Sequence, residues 1–395
     1  MHLLPNSNNI KIIKDKSDWN SKNRITTNDI LKIILEFHQE SNDGNIYHRK
    51  ISTFANEIKF IQEFGIRTLN EYIDSERIGR SAERIQKKDR FAFWKVYSEY
   101  CDMIHHAGFT VDWNGFALYA YDQLLTCPKY DYIIIDEGQD FSVMMIKTLR
   151  KLLVNPDKGI LFLGDTAQQI YGTKISWAKM GLKSIGSVKR LTKNYRNTNE
   201  IIKFAVDITT TKYWNRELSD SVLPEQCGRL GKKPLLIPCN NDKEVLREYL
   251  DKHKDTTTCI VVSTNEMAID IRNVFNAQYI TREMSNTLNP NHPVSVATFH
   301  AVKGFEFDNI FIYHLNEGAL PTQELLDSDE DTAYEIAARL LYVAVTRARN
   351  EVVISFNPTK NLSAVFPINT SNCDLAPVKN YRTMTMGTTN EQIPF

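Results

Sequence analysis

Cysteine is sparse: Cys101, Cys127, Cys227, Cys239, Cys259 and Cys373 stand alone in 395 residues, with no CxxC pair among them. That spacing excludes a disulfide framework and argues against a structural zinc site. Long apolar runs are missing too. None approaches the ~18 residues that a membrane-spanning helix needs. The opening Met1-His2-Leu3-Leu4-Pro5-Asn6 lacks the charged start and apolar stretch of a secretory signal. A soluble, reducing, cytoplasmic setting with no membrane partner is therefore expected. Excess charge of either sign is also absent, since 48 Lys+Arg balance 48 Asp+Glu. This excludes nucleic-acid binding through bulk charge and leaves a local basic groove open.

What remains is ordinary globular material. Hydrophobic residues make up 42% and aromatics 10%, too much for a disordered chain. At roughly 100–200 residues per domain, the length suggests two or three domains. Residues 27–105 read as largely helical: Ile30, Ile33, Ile34 and Phe37 recur on one helix face, and Trp94, Tyr97 and Tyr100 read as core. From residue 130 the texture changes. Short Ile- and Val-rich runs (Tyr132–Ile135, Ile160–Leu163, Leu235–Ile237, Cys259–Val262, Val294–Ala297, Ile310–Tyr313, Val352–Ser355) alternate with helical patterns (Val143–Leu153, Asn197–Asp207, Glu266–Phe275, Tyr334–Arg347). That alternation predicts an α/β fold with a parallel sheet covered on both faces. A polar, Gly-containing stretch over 208–233 marks the main domain boundary, and residues 368–395 read as a loose tail.

The chemistry concentrates at strand ends. Tyr132-Ile133-Ile134-Ile135 runs into Asp136-Glu137-Gly138-Gln139-Asp140, delivering two adjacent carboxylates where open α/β sheets bind ligands. An Asp there suits Mg²⁺, and the following Glu can orient or deprotonate a water. By itself such a pair reads more readily as a solvated acidic turn. A second strand then ends in Gly164-Asp165-Thr166-Ala167-Gln168-Gln169-Ile170-Tyr171-Gly172. Further on come Leu191-Thr192-Lys193-Asn194-Tyr195-Arg196, then Thr298-Phe299-His300-Ala301-Val302-Lys303-Gly304-Phe305-Glu306, and last Tyr342-Val343-Ala344-Val345-Thr346-Arg347-Ala348-Arg349.

In this order the motifs resemble the UvrD/Rep family of superfamily-one helicases, over roughly residues 110–356. The resemblance implies two RecA-like parallel-sheet domains that clamp ATP with Mg²⁺ and step 3′ to 5′ along single-stranded or partly duplex DNA. It implies roles by position. Asp136 is the Mg²⁺ ligand, Glu137 the catalytic base and Gln168 the γ-phosphate sensor. Tyr195 stacks on adenine and Arg196 reaches the γ-phosphate. Gly304 and Glu306 lie near the ribose, and Arg347 is the arginine finger. One arginine would come from each domain, making hydrolysis depend on closure. Tyr171, Lys174, Trp177, Thr298 and His300 would contact DNA. Here the chain departs from the family, with Thr173 where Trp is usual and Lys174 where Arg is usual.

The larger departure is that no G-x-x-x-x-G-K-[ST] phosphate loop exists in the sequence. Gly228-Arg229-Leu230-Gly231-Lys232-Lys233 lacks its spacing and its hydroxyl. The expected organisation is thus a helical remnant of an inserted subdomain at 1–110, the rest of a first RecA-like domain at 111–210, incomplete at its N-terminus, a second at 211–367, and a flexible tail at 368–395. An incomplete sheet is expected to expose apolar surface. Three functions are open: a helicase fragment or subunit whose phosphate loop comes from a second polypeptide, a non-hydrolysing DNA- or partner-binding remnant, and a metal-dependent phosphohydrolase using Asp136, Glu137 and Asp165.

Overall fold

The computed structural model describes residues 12–13, 26–76, 85–124, 129–165, 189, 191–214, 228–281, 289, 292–328, 330–368 and 370–381. These fall into two compact units, the first ending at Arg190 and the second starting at Leu191. The first contains β1 (Ile12–Ile13), α1 (Thr27–Glu40), α2 (Ile51–Phe64), α3 (Leu69–Asp74), α4 (Arg90–His106), β2 (Val111–Asp112), α5 (Phe116–Gln123), β3 (Ile133–Ile135), α6 (Val143–Lys151) and β4 (Ile160–Phe162). The second contains α7 (Asn199–Ile208), β5 (Leu235–Pro238), α8 (Asp242–Lys252), β6 (Thr258–Val262), α9 (Asn265–Phe275), β7 (Gln278–Ile280), β8 (Val294–Thr298), β9 (Phe307–Ile312), α10 (Gln323–Ser328), α11 (Glu330–Val345), β10 (Ala348–Phe356) and β11 (Asp374–Leu375).

The helical part of the first unit forms around its own core. Thr26 and Asp29 close a reciprocal capping box that starts α1, each side chain taking the other's backbone amide. The face α1 buries differs from the one expected. Ile30 and Ile34 are buried together with Leu31, Leu35 and His38, whereas Ile33 (55% exposed) and Phe37 (64%) face out. Packing of α1 against both α2 and α4 turns the buried stripe toward the Leu31–Leu35 side. Tyr100 joins Phe54, Phe60, Tyr72 and Phe93 at the centre of this core, and Trp94 and Tyr97 pack around it, as expected. The described cysteines are free thiols, and burial pushes Cys101 up to about 11 and Cys239 up to about 12.

Strands β3 and β4 pair in parallel, Ile134 opposite Leu161. Ile135, Val143 and Ile146 pack beneath them with Ile160 and Phe162. The other face carries Tyr132 (80% exposed), Ile134 (69%), Leu161 (53%) and Leu163 (42%). Parallel sheets ordinarily have both faces covered, and among the described residues this pair leaves one apolar face exposed.

The second unit holds an all-parallel sheet of order β11-β5-β10-β9-β6-β8-β7. Its interior strand β6, between β9 and β8, is buried at every residue, which is why it reads as an uninterrupted apolar run. The division at Arg190–Leu191 lies ahead of the boundary expected at 210–211. The reason is α7, whose apolar residues Ile201, Ile202, Phe204, Ala205 and Ile208 are buried and which packs on α11 and β10.

The expected loose tail is corrected over residues 370–381. Strand β11 extends the sheet beside β5, with Asp374 N donating to Pro234 O and Ala376 N to Leu236 O, each at 2.9 Å. Lys379 N donates to Pro238 O at 2.9 Å, and Lys379 Nζ and the Tyr381 hydroxyl both reach Glu248, at 2.5 and 2.8 Å. The segment is polar because it is an edge, and a short exposed edge strand leaves little apolar signature.

Ending the chain at Thr370 should destabilise the second unit by about 5 kcal/mol, at roughly 1 kcal/mol for each of these five lost hydrogen bonds. An unchanged urea-unfolding midpoint would show the edge to be dispensable. Hydrogen bonds from Lys379 and then Tyr381 hold the Glu248 carboxyl below its usual range. A depressed carboxyl stabilises the fold above its ordinary pKa and loses that contribution as pH falls through the folded value. The gap in midpoint between the full and shortened chains should therefore narrow in acid.

Candidate functional site

In the first unit, Asp136 and Glu137 follow β3 at its C-terminal end. Glu137 adopts a left-handed conformation (φ 51°, ψ 36°), which costs a non-glycine residue about 1–2 kcal/mol. Local bonds hold it there. Glu137 N donates to Asp136 Oδ1 at 2.9 Å, and Glu137 O accepts from Asp140 N at 3.1 Å. Gly138 N donates to Leu163 O at 2.8 Å, and a methyl group on Gly138 would overlap the Phe162 ring. Glycine is required here by close approach. Gln139, 3% exposed, completes the turn. Its Nε2 donates to Glu137 Oε2 at 2.5 Å and its Oε1 accepts from Asp165 N at 3.0 Å, joining the ends of β3 and β4. Gln139 is a positioning residue that sequence reading did not single out.

Asp136 is exposed and one of its oxygens is engaged by a backbone amide. No group of three or more His, Cys, Asp or Glu residues among the described residues forms a metal cage. One or two carboxylates with waters and phosphate oxygens is what Mg²⁺ prefers, so Asp136 fits that ion when a nucleotide supplies the remaining oxygens. Gln168, Tyr171, Lys174 and Trp177 lie outside the described residues.

In the second unit, three chain segments converge. The first is the turn before α7. Asn194 Oδ1 accepts from the amides of Arg196 (2.9 Å) and Asn197 (3.1 Å). Tyr195 stands 74% exposed beside it. The second segment enters β9. Gly304 has a positive φ of 87°, which glycine adopts without strain, and Glu306 follows two residues later. The third leaves α11 and enters β10 with Arg347 and Arg349. Arg196 Nη2 lies 2.5 Å from Glu306 Oε1, and Arg349 Nη2 lies 3.3 Å from Glu306 Oε2. Two guanidiniums share one carboxylate, so this triad retains a positive charge. Arg347 is 2% exposed, its Nε donates to Val343 O at 3.2 Å, and its carbonyl accepts from Phe307 N at 3.1 Å.

Arg196 and Arg347 thus both belong to the second unit. This corrects the expectation of one arginine from each domain, and the cause is again the packing of α7 against α11 and β10. Thr298 ends β8, is 9% exposed, and its Oγ1 accepts from Ala301 N at 3.2 Å, while His300 is half-buried in the turn that follows. Arg349 lies in the same motif as Arg347 but no role at the site was expected of it, and Arg229 was not anticipated. Arg229 donates to Arg196 O and, at 3.0 Å, to Asn350 Oδ1.

The Gly138 contact is directly testable. Gly138→Ala should destabilise the first unit by about 1–3 kcal/mol through overpacking. Adding Phe162→Leu should recover part of that loss, read as a non-additive change in unfolding free energy. Strict additivity would mean that the two residues do not meet.

Two family descriptions match the chain in order. "UvrD/REP helicase N-terminal domain" matches residues 4–182, and "UvrD-like helicase C-terminal domain" matches residues 263–359. A probable DNA helicase of Mycoplasma pneumoniae is 24% identical over 276 residues, covering 68% of this chain and 51% of the relative. DNA helicase IV of Escherichia coli is 28% identical over 245 residues, covering 58% of this chain and 34% of the relative. ATP-dependent DNA helicase Rep of Buchnera aphidicola is 38% identical over 71 residues, covering 18% and 10%. The matches thus span about half or less of the length of these curated relatives. Among the described residues, no helix is long and apolar enough to cross a membrane. Matched in order by both of that family's domain descriptions, over more than half of its length, the chain belongs to the UvrD/Rep-type family of DNA helicases.

Proposed function

We propose that the chain is the motor portion of an ATP-dependent 3′–5′ DNA helicase or translocase, completed by a phosphate-binding loop that its own sequence lacks. The arginine–glutamate cluster carries this reading. Arg196 and Arg349 share Glu306 and leave a positive charge beside the strand that Arg347 introduces. Phosphoryl transfer spreads negative charge over the terminal phosphate, and fixed guanidiniums stabilise that charge. Mg²⁺, when bound with ATP, neutralises part of the charge on the phosphate oxygens.

The chain's own groups do the rest. Asp136 holds the metal. Glu137, fixed by Gln139, accepts the proton of the attacking water, and Gln168 senses the terminal phosphate. The exposed ring of Tyr195 offers adenine a stacking face, and Gly304 and Glu306 approach the ribose. Thr298 and His300 serve the DNA backbone, while Tyr171, Lys174 and Trp177 serve the bases and phosphates, since stacking on aromatics tolerates any sequence.

A second reading, a non-hydrolysing DNA- or partner-binding remnant, is favoured by the missing phosphate loop. ATP turnover on single-stranded DNA separates the two. The chain alone should hydrolyse ATP no faster than its Asp136→Ala variant. A fusion supplying a G-x-x-x-x-G-K-[ST] strand–loop–helix should gain DNA-stimulated turnover. In that fusion, Arg196→Ala or Arg347→Ala should reduce turnover about 10²–10³-fold, the scale of a lost transition-state contact. Undiminished turnover in either variant overturns its role, and DNA binding without any turnover in the fusion favours the remnant.

A further inference from the structure

The turn that carries Arg196 is joined to the segment that carries Arg347 by one buried side chain. Asn197 is 0% exposed. Its amide nitrogen donates to Thr346 O at 3.0 Å and to Ala348 O at 2.5 Å, the two carbonyls that flank Arg347. Its Oδ1 accepts from Asn194 Nδ2 at 2.7 Å. Both acceptor carbonyls need an outside partner. Thr346 O lies just past the end of α11, where helix carbonyls lose their intrahelical donors. Ala348 O lies where the β9–β10 register shifts, between Ala348 and Glu351. A primary amide carries two N–H groups in a rigid plane, so it can serve both carbonyls and hold the residue between them.

The Arg196 side of the clasp is equally fixed. Asn194 takes the amides of Arg196 and Asn197, and Arg229 holds the Arg196 carbonyl while also binding Asn350 two residues beyond Ala348. We infer that Asn197 is a positioning residue that sets the spacing of Arg196 and Arg347 so that both guanidiniums address one terminal phosphate. It touches neither nucleotide nor reacting atoms. This inference rests on the nucleotide reading above and adds to it the side chain that turns two arginines into one recognition unit. A fixed spacing matters because guanidinium recognition of phosphate is geometric as well as electrostatic.

The test uses the full chain fused to the phosphate-loop segment described above and a readout other than turnover, namely the preference for anthraniloyl-labelled ATP over the equally labelled ADP in fluorescence titrations. Arg196→Ala defines the preference left when one guanidinium is gone. Asn197→Leu removes the clasp. Asn194→Ala loosens it from a half-buried position and leaves Asn197 in place should the leucine variant fold poorly. Both clasp variants should lose about tenfold of the ATP preference, with ADP affinity held within about twofold, as expected for one misplaced charge-assisted hydrogen bond. Lower melting temperatures with the preference intact in both variants would reduce Asn197 to a structural role and overturn the inference alone. An ATP preference that is absent, or unmoved by Arg196→Ala, would overturn the nucleotide reading and the inference with it.

Discussion

Strands β9 and β10 begin opposite each other, Phe307 against Ala348, with Phe307 N donating to Arg347 O at 3.1 Å. That register makes Glu306 and Arg347 neighbours, although 41 residues separate them in the chain. Slipping it by one residue would send every following side chain to the opposite face. Ile310, Phe311, Ile312, Val352, Val353 and Ile354 are close-packed on both faces, and exchanging their differently sized side chains between those faces would disrupt the packing. The placement of the charged cluster is therefore a by-product of apolar packing a few residues away. The all-parallel topology adds the second constraint, gathering strand starts on one edge and strand ends on the other. Glu306 and Arg347 occupy the starting edge in the second unit, and Asp136 and Glu137 follow a strand end in the first.

The energetics separate the parts that hold from the parts that exchange. Arg196, Arg349 and Glu306 are partly exposed, with side chains 36%, 50% and 32% accessible. Ion pairs of that exposure contribute about 0–1 kcal/mol, so freeing a guanidinium from Glu306 would cost the fold little. The asparagine clasp is the reverse. Asn197 is wholly buried, and breaking its bonds leaves carbonyls unsatisfied at about 1–3 kcal/mol each. A firm backbone frame thus lies beneath loosely held charged tips.

Much of this was legible in the residues. Each of the seven apolar runs proposed as strands overlaps a strand, and the five in the second unit are almost continuously apolar because they are buried on both faces. Strand β7 and helix α8 escaped notice: β7 is short and half-buried, and α8 mixes charge into its pattern. Edge strand β11 escaped because an exposed edge is polar. The face of α1 was misjudged because periodicity fixes a helix, while the partners, here α2 and α4, choose which side is buried. The Asp-Glu pair and the arginines were readable because each lies in a compact local motif. Asn197, Arg229 and Arg349 were not, since their partners lie 149 to 151, 33 and 121, and 43 residues away respectively.

The residues alone determined the fold class, the family and the chemical character of the charged positions, since strand hydrophobicity and motif order are local properties that need no coordinates. They also show that no G-x-x-x-x-G-K-[ST] run occurs in this sequence. Only the tertiary structure decided that the segment from Leu191 joins the second unit, that Arg196 and Arg347 therefore stand in one unit, and that the tail closes a sheet edge. Those outcomes depend on which buried face finds a matching surface. That is a property of α7 meeting α11 and β10, and of β11 meeting β5, and of no single segment read by itself.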